Sequence, residues 1–210
     1  MSADSSIRSL VVVSSGIVQP SSSRLLADRL SAAVDRHLRD AEIEPRVEVV
    51  ELREHAQDLA NHLLTGFPSP RLQAVIDTVV SADGLIAVTP IYSASYSGLF
   101  KLFFDVLERG GLAGKPALIA ATGGTARHSL AIEHAIRPLF AYLNAAVVPT
   151  GVYAASEDWG GGGLAPDGSL VKRIDRAAGE LAVAMIARAS SAPRERFTDP
   201  VPFEDLLPHG

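Results

Sequence analysis

Hydroxyl side chains crowd the segment that follows the first apolar run of the chain. Ser21, Ser22 and Ser23 stand directly before an amphipathic stretch, and Ser15 lies a few residues earlier. Hydroxyls and the free N–H groups of a helix start suit a phosphate group, because the helix dipole places partial positive charge there. The alternative is that one of these serines only caps the helix. Gly16 is the only glycine of this segment, so it lacks the Gly-rich fingerprint that binds a dinucleotide pyrophosphate.

A second segment, residues 89–101, combines aromatic and hydroxyl side chains after the third apolar run. Pro90 fixes the backbone where the segment begins, and Tyr92 and Tyr96 can offer ring faces and hydroxyls to a ligand. The alternative is an ordinary connection between a strand and a helix, with Tyr92 covering the core. This segment alone leaves both interpretations open.

A third segment follows the fourth apolar run and is rich in glycine. It begins Thr122, Gly123, Gly124, Thr125. Two glycines allow a flat ligand to lie against the backbone, whose N–H and C=O groups can contact the edge of a ring. The alternative is a turn that needs a positive φ.

The elements that must position these segments alternate along the chain. The five short apolar runs predict strands at residues 10–13, 47–52, 84–88, 117–121 and 146–148. Most of them lack strict alternation, as is typical of strands covered on both faces. Helical periodicity predicts helices at residues 24–38, 70–81, 97–109, 128–144 and 169–189, with Pro138 kinking or breaking the fourth. This alternation predicts a three-layer α/β fold with a five-stranded parallel sheet. Ligands bind such sheets at the carboxyl ends of the strands, where the three segments would meet.

Length, composition and charge limit the classes of protein to which this chain can belong. The 210 residues predict one domain over residues 1–190, with an irregular Pro-rich tail over 191–210. The absence of cysteine excludes disulfides, iron–sulfur clusters and thiol catalysis, so any redox chemistry requires a bound cofactor. The net charge of −5 argues against a nucleic-acid partner. The six histidines include no metal pair at helical spacing.

Without a signal peptide or an apolar span, we expect no membrane partner and a cytoplasmic location.

Taken together, the three segments resemble the NADPH-dependent FMN reductase family of flavodoxin-like proteins. The matching motifs lie between residues 9 and 189, at residues 15, 20–24, 89–101, 112–116, 121–125, 136–140 and 149–153. The most specific is the second segment, with its Pro-x-Tyr and Ser-Gly-x-x-Lys patterns.

The resemblance implies a flavodoxin-like sheet of order 2-1-3-4-5 with FMN at its carboxyl edge. It implies that the phosphate is ringed by Ser15, Gln19, Ser21, Ser22 and Ser23. It implies that the isoalloxazine lies along Pro90, Ile91, Tyr92 and Ser93. It implies that Thr122, Gly123, Gly124 and Thr125 face the pyrimidine side of the ring. His128 either reaches the edge of the flavin or faces solvent.

The implied activity is that of an NAD(P)H:FMN oxidoreductase, with NADPH or NADH as the hydride donor. Cofactors carry this chemistry, so no catalytic acid or base is expected among the side chains. Backbone N–H groups near flavin N1 and O2 would stabilise the charge that develops on reduction. Reduced FMN would pass to a monooxygenase or another acceptor. The alternatives are an FMN-bound quinone or azo-dye reductase, and a flavodoxin-like electron-transfer module.

Three features refine this prediction. Many relatives carry an arginine or threonine in the phosphate loop where this chain has residues 17–19, Ile-Val-Gln, which favours loose binding of FMN as a substrate. The predicted helix 97–109 has more apolar residues than one face can use, which predicts a contact in a homodimer or homotetramer unless this helix is fully covered. Residues 157–163, which include the single tryptophan, are either a lid or a surface turn.

Overall fold

A parallel sheet with five strand positions organises the computed structural model, which describes residues 7–159 and 169–188. The strands are β1 (Ile7–Ser14), β2 (Glu44–Glu51), β3 (Gly84–Tyr92), β4 (Ser95–Tyr96), β5 (Pro116–Gly123), β6 (Ala146–Val147) and β7 (Val152–Ala155). The main order is β2-β1-β3-β5-β6, and β4 pairs antiparallel with β3. Because β4 lies off this path, the observed order confirms the predicted order 2-1-3-4-5.

Two short strands share the fifth position of the sheet. β6 pairs with the start of β5, at Pro116 and Ala117, and β7 pairs with its end, from Ala120 to Gly123. The sequence predicted only the first of these two strands. Pro149 lies between them and has no N–H to donate to a neighbouring strand, which fits the interruption.

Six α-helices cover the two faces of the sheet in the described part of the chain. They are α1 (Ser22–Asp40), α2 (Ala56–Thr65), α3 (Pro70–Ser81), α4 (Gly98–Asp105), α5 (Arg137–Tyr142) and α6 (Ser169–Ala187). Alternate residues of each strand face opposite helical layers. Val11 and Val13 pack with α2 to α5, whereas Leu10 and Val12 pack with α1 and α6. Two covered faces explain why the strands read as nearly continuous apolar runs.

Helix boundaries account for most of the differences from prediction. The predicted helix 128–144 is wrong as a continuous helix: a π-turn spans Ile132–Ile136 and α5 begins only at Arg137. Pro138 stands in the first turn of α5, where its missing N–H costs nothing. α2 was not predicted, and it follows a short 3-10 turn at Leu52–His55.

The predicted helix 97–109 has more apolar residues than one helix face can use, and several of them lie in the core. Phe100, Phe103 and Phe104 are buried, and the rings of Phe104 and Phe140 meet edge to face at 4.9 Å. Leu99, Leu102 and Val106 are only half-buried, so the structure accounts for the three phenylalanines by the core and the predicted subunit contact stays a prediction.

Several predictions fall partly or wholly beyond the described structure. The tail 191–210 and the glycines 160–163 lie outside the described residues, so the domain boundary at residue 190 stays a prediction. Within residues 7–159 and 169–188, no helix combines the length and hydropathy needed to cross a membrane. The same ranges contain no cluster of residues suited to bind a metal ion.

Candidate functional site

Three loops meet at the carboxyl edge of the sheet, as the sequence predicted. We define the first loop as residues 15–24, the second as residues 89–97 and the third as residues 122–128. Ser97 Oγ lies 3.1 Å from Ser15 Oγ and joins the second loop to the first. Ser23 Oγ lies 2.8 Å from Thr122 Oγ1 and joins the first loop to the third. All four hydroxyl-bearing residues are buried, so water does not compete for these bonds.

The first loop turns sharply into α1. Ser21 is the N-cap of this helix, and its Oγ accepts a hydrogen bond from the N–H of Arg24 at 3.2 Å. A Cβ on Gly16 would lie 2.0 Å from Ser21 Oγ, so any other residue here would displace the side chain that caps α1. The N–H groups of Ser22 and Ser23 belong to the first helical turn, where no carbonyl of the same helix can reach them.

The five predicted phosphate ligands are not equivalent in this structure. Ser15 donates to the carbonyl of Val88 at 3.4 Å, and the hydroxyl of Ser23 meets Thr122. Both side chains are therefore occupied in connecting loops. Ser22 is exposed and Ser21 is half-buried, which leaves these two hydroxyls at the open surface.

Gln19 faces the end of β2 rather than the centre of its own loop. With its carboxamide oxygen turned toward Arg53, Gln19 accepts hydrogen bonds from both terminal nitrogens of that guanidinium. Arg53 Nε donates to Glu51 Oε2 at 2.6 Å, and Arg24 Nη1 donates to Glu51 Oε1 at 2.5 Å. Burial favours the neutral carboxyl, but these hydrogen bonds outweigh it and keep the pKa of Glu51 below its ordinary value. Glu51 is thus a carboxylate shared between two arginines.

The second loop is a tight hairpin at the tip of β3. Ser93 and Ala94 have positive φ angles of 48° and 66°, as a two-residue type I′ turn requires. Neither is glycine, so this conformation is strained. Thr89 Oγ1 accepts from the N–H of Ser97 at 3.0 Å and closes the base of the loop.

The four residues that were predicted to contact the ring differ in their exposure to solvent. Pro90 and Ile91 are buried within β3, so they contribute mainly backbone to the site. Tyr92 is 44% exposed and presents an aromatic ring at the edge of the sheet. Ser93 is exposed at the turn.

The third loop is supported from below by Tyr153 of β7. Tyr153 Oη donates to the carbonyl of Thr125 at 2.8 Å, and it lies only 2.1 Å from where a Cβ on Gly123 would stand. The phenol therefore requires glycine at this position. Burial raises the pKa of Tyr153, and the negative charges of Glu157 and Asp158 raise it further, so the phenol remains a donor at neutral pH.

The remainder of the third loop is open. Apart from its two neighbours in the chain, no residue that the structure describes has an atom within 4 Å of a Cβ built on Gly124, so a ligand can approach its backbone. His128 is exposed at the end of a 3-10 turn, Ala126–His128, which fits the solvent-facing alternative. Trp159, from the predicted lid or turn, lies with its ring centroid 4.9 Å from the guanidinium carbon of Arg29.

Four residues of the site were not singled out as functional from the sequence. Thr89 and Ser97 stood within a predicted motif, and the Ser-Gly pair at 97–98 marked a helix start, so this signal was available. Tyr153 ended a motif of the family resemblance, residues 149–153, but nothing in that motif indicated its role, and Arg53 carried no local signal. Their places depend on which strands are neighbours, and periodicity did not determine the strand order.

The donor set fits FMN. The first loop offers two surface hydroxyls and the N–H groups of a helix start, which suit a terminal phosphate. The second loop offers an exposed ring, and the third offers accessible backbone beside Gly124. The first set of groups suits the phosphate of FMN, the exposed ring suits the face of its isoalloxazine, and the accessible backbone suits the pyrimidine edge.

Comparison with known proteins agrees with this geometry. The family model described as NADPH-dependent FMN reductase matches residues 9–160. The FMN reductase (NADPH) of Pseudomonas aeruginosa is 40% identical over 150 residues, which cover 71% of this chain and 78% of the relative. A solved oxidoreductase from Corynebacterium diphtheriae superimposes with a TM-score of 0.83 at 44% identity, covering 88% of this chain and 100% of the other. The apo form of the NADH:FMN oxidoreductase EmoB superimposes with a TM-score of 0.74 at 28% identity, covering 87% and 92%.

The strand order and the loop-lined carboxyl edge define a flavodoxin-like protein. Within that class, the chain belongs to the NADPH-dependent FMN reductase family. It is accordingly an oxidoreductase that acts with FMN and with NADPH or NADH.

Proposed function

We propose that FMN binds across the three loops, with its phosphate at the first, its ring along the second and its pyrimidine edge at the third. The observation that carries this proposal is the pair of buried hydroxyl contacts, Ser15 to Ser97 and Ser23 to Thr122, which hold the three loops at one place. Loops that are already held in place lose less conformational entropy when a ligand binds, and this favours binding.

Each loop contributes a different kind of contact. Ser21 and Ser22 supply hydroxyls to the phosphate, and the first turn of α1 supplies N–H groups and dipole. Tyr92 lies beside one face of the ring, and the backbone of Gly124 and Thr125 faces its polar edge. Ser15 and Ser23 act through the loop connections rather than through direct contact.

When bound at these loops, FMN would supply the redox chemistry, as the acceptor at N5 of a hydride from C4 of the nicotinamide. The residues of this chain position the ring and leave one face accessible. The N–H groups of the third loop would stabilise negative charge at the pyrimidine edge of the ring, and the Tyr153 hydrogen bond to the carbonyl of Thr125 keeps this loop in place. No side chain has to transfer a proton during the hydride step.

The proposal predicts NADPH or NADH oxidation that depends on added FMN. A Ser21→Ala/Ser22→Ala variant should raise the KM for FMN about tenfold, since it removes two hydroxyl contacts to a charged group. Ser81→Ala, which removes an exposed serine hydroxyl of α3, is the matched control and should not change it. No oxidation above the rate with free flavin would reject the proposed function. Circular dichroism checks folding, because Ser21 also caps α1.

The proposal extends to the partners. Reduced FMN leaves for a monooxygenase or another acceptor, and the cytoplasm, which supplies reduced nicotinamide nucleotides, is the proposed compartment. A second copy of the chain covers the end of α2, where Leu63, Leu64 and Phe67 are 61%, 84% and 78% exposed, to give a homodimer or homotetramer. Light scattering on a Leu64→Glu/Phe67→Glu variant should then give a smaller assembly than wild type, and unchanged mass would reject this interface.

A further inference from the structure

The proposed phosphate site lacks a cation of its own. Residues 14–23 contain neither lysine nor arginine. A phosphate monoester carries a charge of about −1.5 to −2 at neutral pH. The helix start of α1 offsets only about half of one charge. Serine hydroxyls donate hydrogen bonds but carry no net charge, so residues 14–23 leave most of the phosphate charge uncompensated.

Two arginines lie next to residues 14–23, and they differ in their partners: Arg24 is the last residue of the first loop, and Arg53 follows the end of β2. Arg24 donates to two carboxylates, Asp28 at 2.7 Å and Glu51 at 2.5 Å. Arg53 has one close carboxylate, Glu51 at 2.6 Å from its Nε, and a longer contact of 3.7 Å with Glu54.

The other edge of the Arg53 guanidinium points at the first loop. Its Nη1 and Nη2 both donate to the carboxamide oxygen of Gln19. Gln19 is exposed, neutral and two residues from the N-cap Ser21. Arg53 thus contacts the first loop through its Nη edge, and its partner in that loop is the uncharged Gln19, while Glu54 Oε1 lies 3.7 Å from Nη2. An edge with two N–H donors suits bidentate binding of a phosphate.

We propose that Arg53 is a specificity-determining residue that exchanges Gln19 for a phosphate oxygen of FMN and so selects FMN over riboflavin. Glu51 holds the Nε side of the guanidinium during this exchange and fixes the direction of its free edge. A charge-assisted bidentate contact replaces a contact to a neutral amide, and this favours the exchange. The inference rests on the proposed binding of FMN at the three loops.

The test compares two ligands that differ only in the phosphate. Dissociation constants for FMN and riboflavin are measured by quenching of flavin fluorescence. Arg53→Gln should weaken FMN binding by about tenfold or more and leave riboflavin binding within about twofold of wild type. Arg53→Lys should recover part of the preference for FMN, because lysine restores the positive charge but not the pair of N–H donors that a guanidinium offers. Arg71→Gln is the matched control: it removes a nearby positive charge, 3.9 Å from Glu54, without touching the first loop, and the FMN preference should persist.

A second variant covers the case in which Arg53→Gln does not fold. Gln19→Ala frees the guanidinium edge, so its affinity for FMN should be at least that of wild type. If Gln19→Ala instead loses FMN affinity selectively, Gln19 binds the phosphate and the inference is overturned. Equal weakening of FMN and riboflavin in Arg53→Gln, or no change in either, overturns it as well. If the wild-type protein itself does not prefer FMN to riboflavin, the proposed phosphate site is wrong, and the proposed role of Arg53 is wrong as well.

Discussion

The hydroxyl oxygens of Ser23 and Thr122 lie 2.8 Å apart, although 99 residues separate them in sequence. One belongs to the first turn of α1 and the other to the end of β5, and both are buried. Strands β1 and β5 are not neighbours, since β3 lies between them. The contact therefore connects the first and third loops, which follow strands on opposite sides of β3.

The Ser23–Thr122 contact should matter for both stability and binding. Thr122→Val keeps the shape of the side chain but leaves the buried Ser23 hydroxyl without this partner, which should lower the free energy of unfolding by about 1–2 kcal/mol. Affinity for FMN should fall with it. Urea denaturation of a double-mutant cycle with Ser23→Ala checks the coupling, because two residues in contact give a non-additive result. Strict additivity would show that the two hydroxyls act independently.

The strained hairpin offers a stabilising substitution. Ala94 has a φ of 66°, a conformation that costs an L-residue about 1–2 kcal/mol. Glycine removes this strain but loses about 0.5–1 kcal/mol of chain entropy, so Ala94→Gly should raise the free energy of unfolding by about 0.5–1 kcal/mol. Ala60→Gly, the same change inside α2, should instead lower it by about 1 kcal/mol. Equal destabilisation by both variants in chemical denaturation would contradict the hairpin geometry.

Tyr153 should affect ring binding without affecting phosphate selectivity. Tyr153→Phe keeps the ring beneath Gly123 but removes the hydrogen bond to the carbonyl of Thr125. We expect FMN and riboflavin to weaken together by about three- to tenfold, the effect of one hydrogen bond. Fluorescence titration checks this, with the exposed Tyr142 changed to Phe as the control. A loss confined to FMN would place Tyr153 at the phosphate instead.

Lys115 should make stability depend on alkaline pH. This lysine is 1% exposed and donates to the carbonyls of Val80 and Ala82 at the end of α3. Burial lowers its pKa to about 8, and the charge of Arg188 contributes to this shift. In the unfolded chain a lysine has a pKa of about 10.4. Between these values the unfolded state binds the additional proton, so the Lys115 contribution to stability rises as the pH rises through this window.

The comparison that isolates this effect is the stability of wild type minus that of Lys115→Met. From pH 7.5 to 10.5 the difference should increase by about 1–3 kcal/mol in favour of wild type. Lys172→Met, at an exposed position of α6, is the matched control for the loss of a lysine. A constant difference for Lys115 would mean that its pKa is not shifted by folding.

Local sequence signals were sufficient where the structure is local. The apolar runs at β1, β3 and β5 predicted three adjacent strands of the sheet, and the polar segments after them are the loops that form the site. The N-cap serines Ser21 and Ser97 were also visible, because each precedes an amphipathic run. Parallel strands bring their carboxyl ends together, so the convergence of the loops followed from fold class alone.

Features that depend on distant neighbours were not predictable in this way. Arg53 reaches Gln19 only because β2 lies beside β1, and Tyr153 reaches Thr125 only because β7 lies beside β5. β7 itself is four residues long, too short for periodicity to separate from a loop. The π-turn at Ile132–Ile136 has the same apolar spacing as a helix over so few residues, so the predicted helix there was too long.

The central claim is that three separate loops bind one molecule of FMN together. Amide chemical shifts, followed by NMR while FMN is added to the ¹⁵N-labelled protein, test it most directly. The amides of Ser22, Ser93 and Gly124, one from each loop, should shift along a common saturation curve, while that of Tyr142 stays in place. Shifts confined to a single loop, or no saturable shift in any of them, would contradict the account.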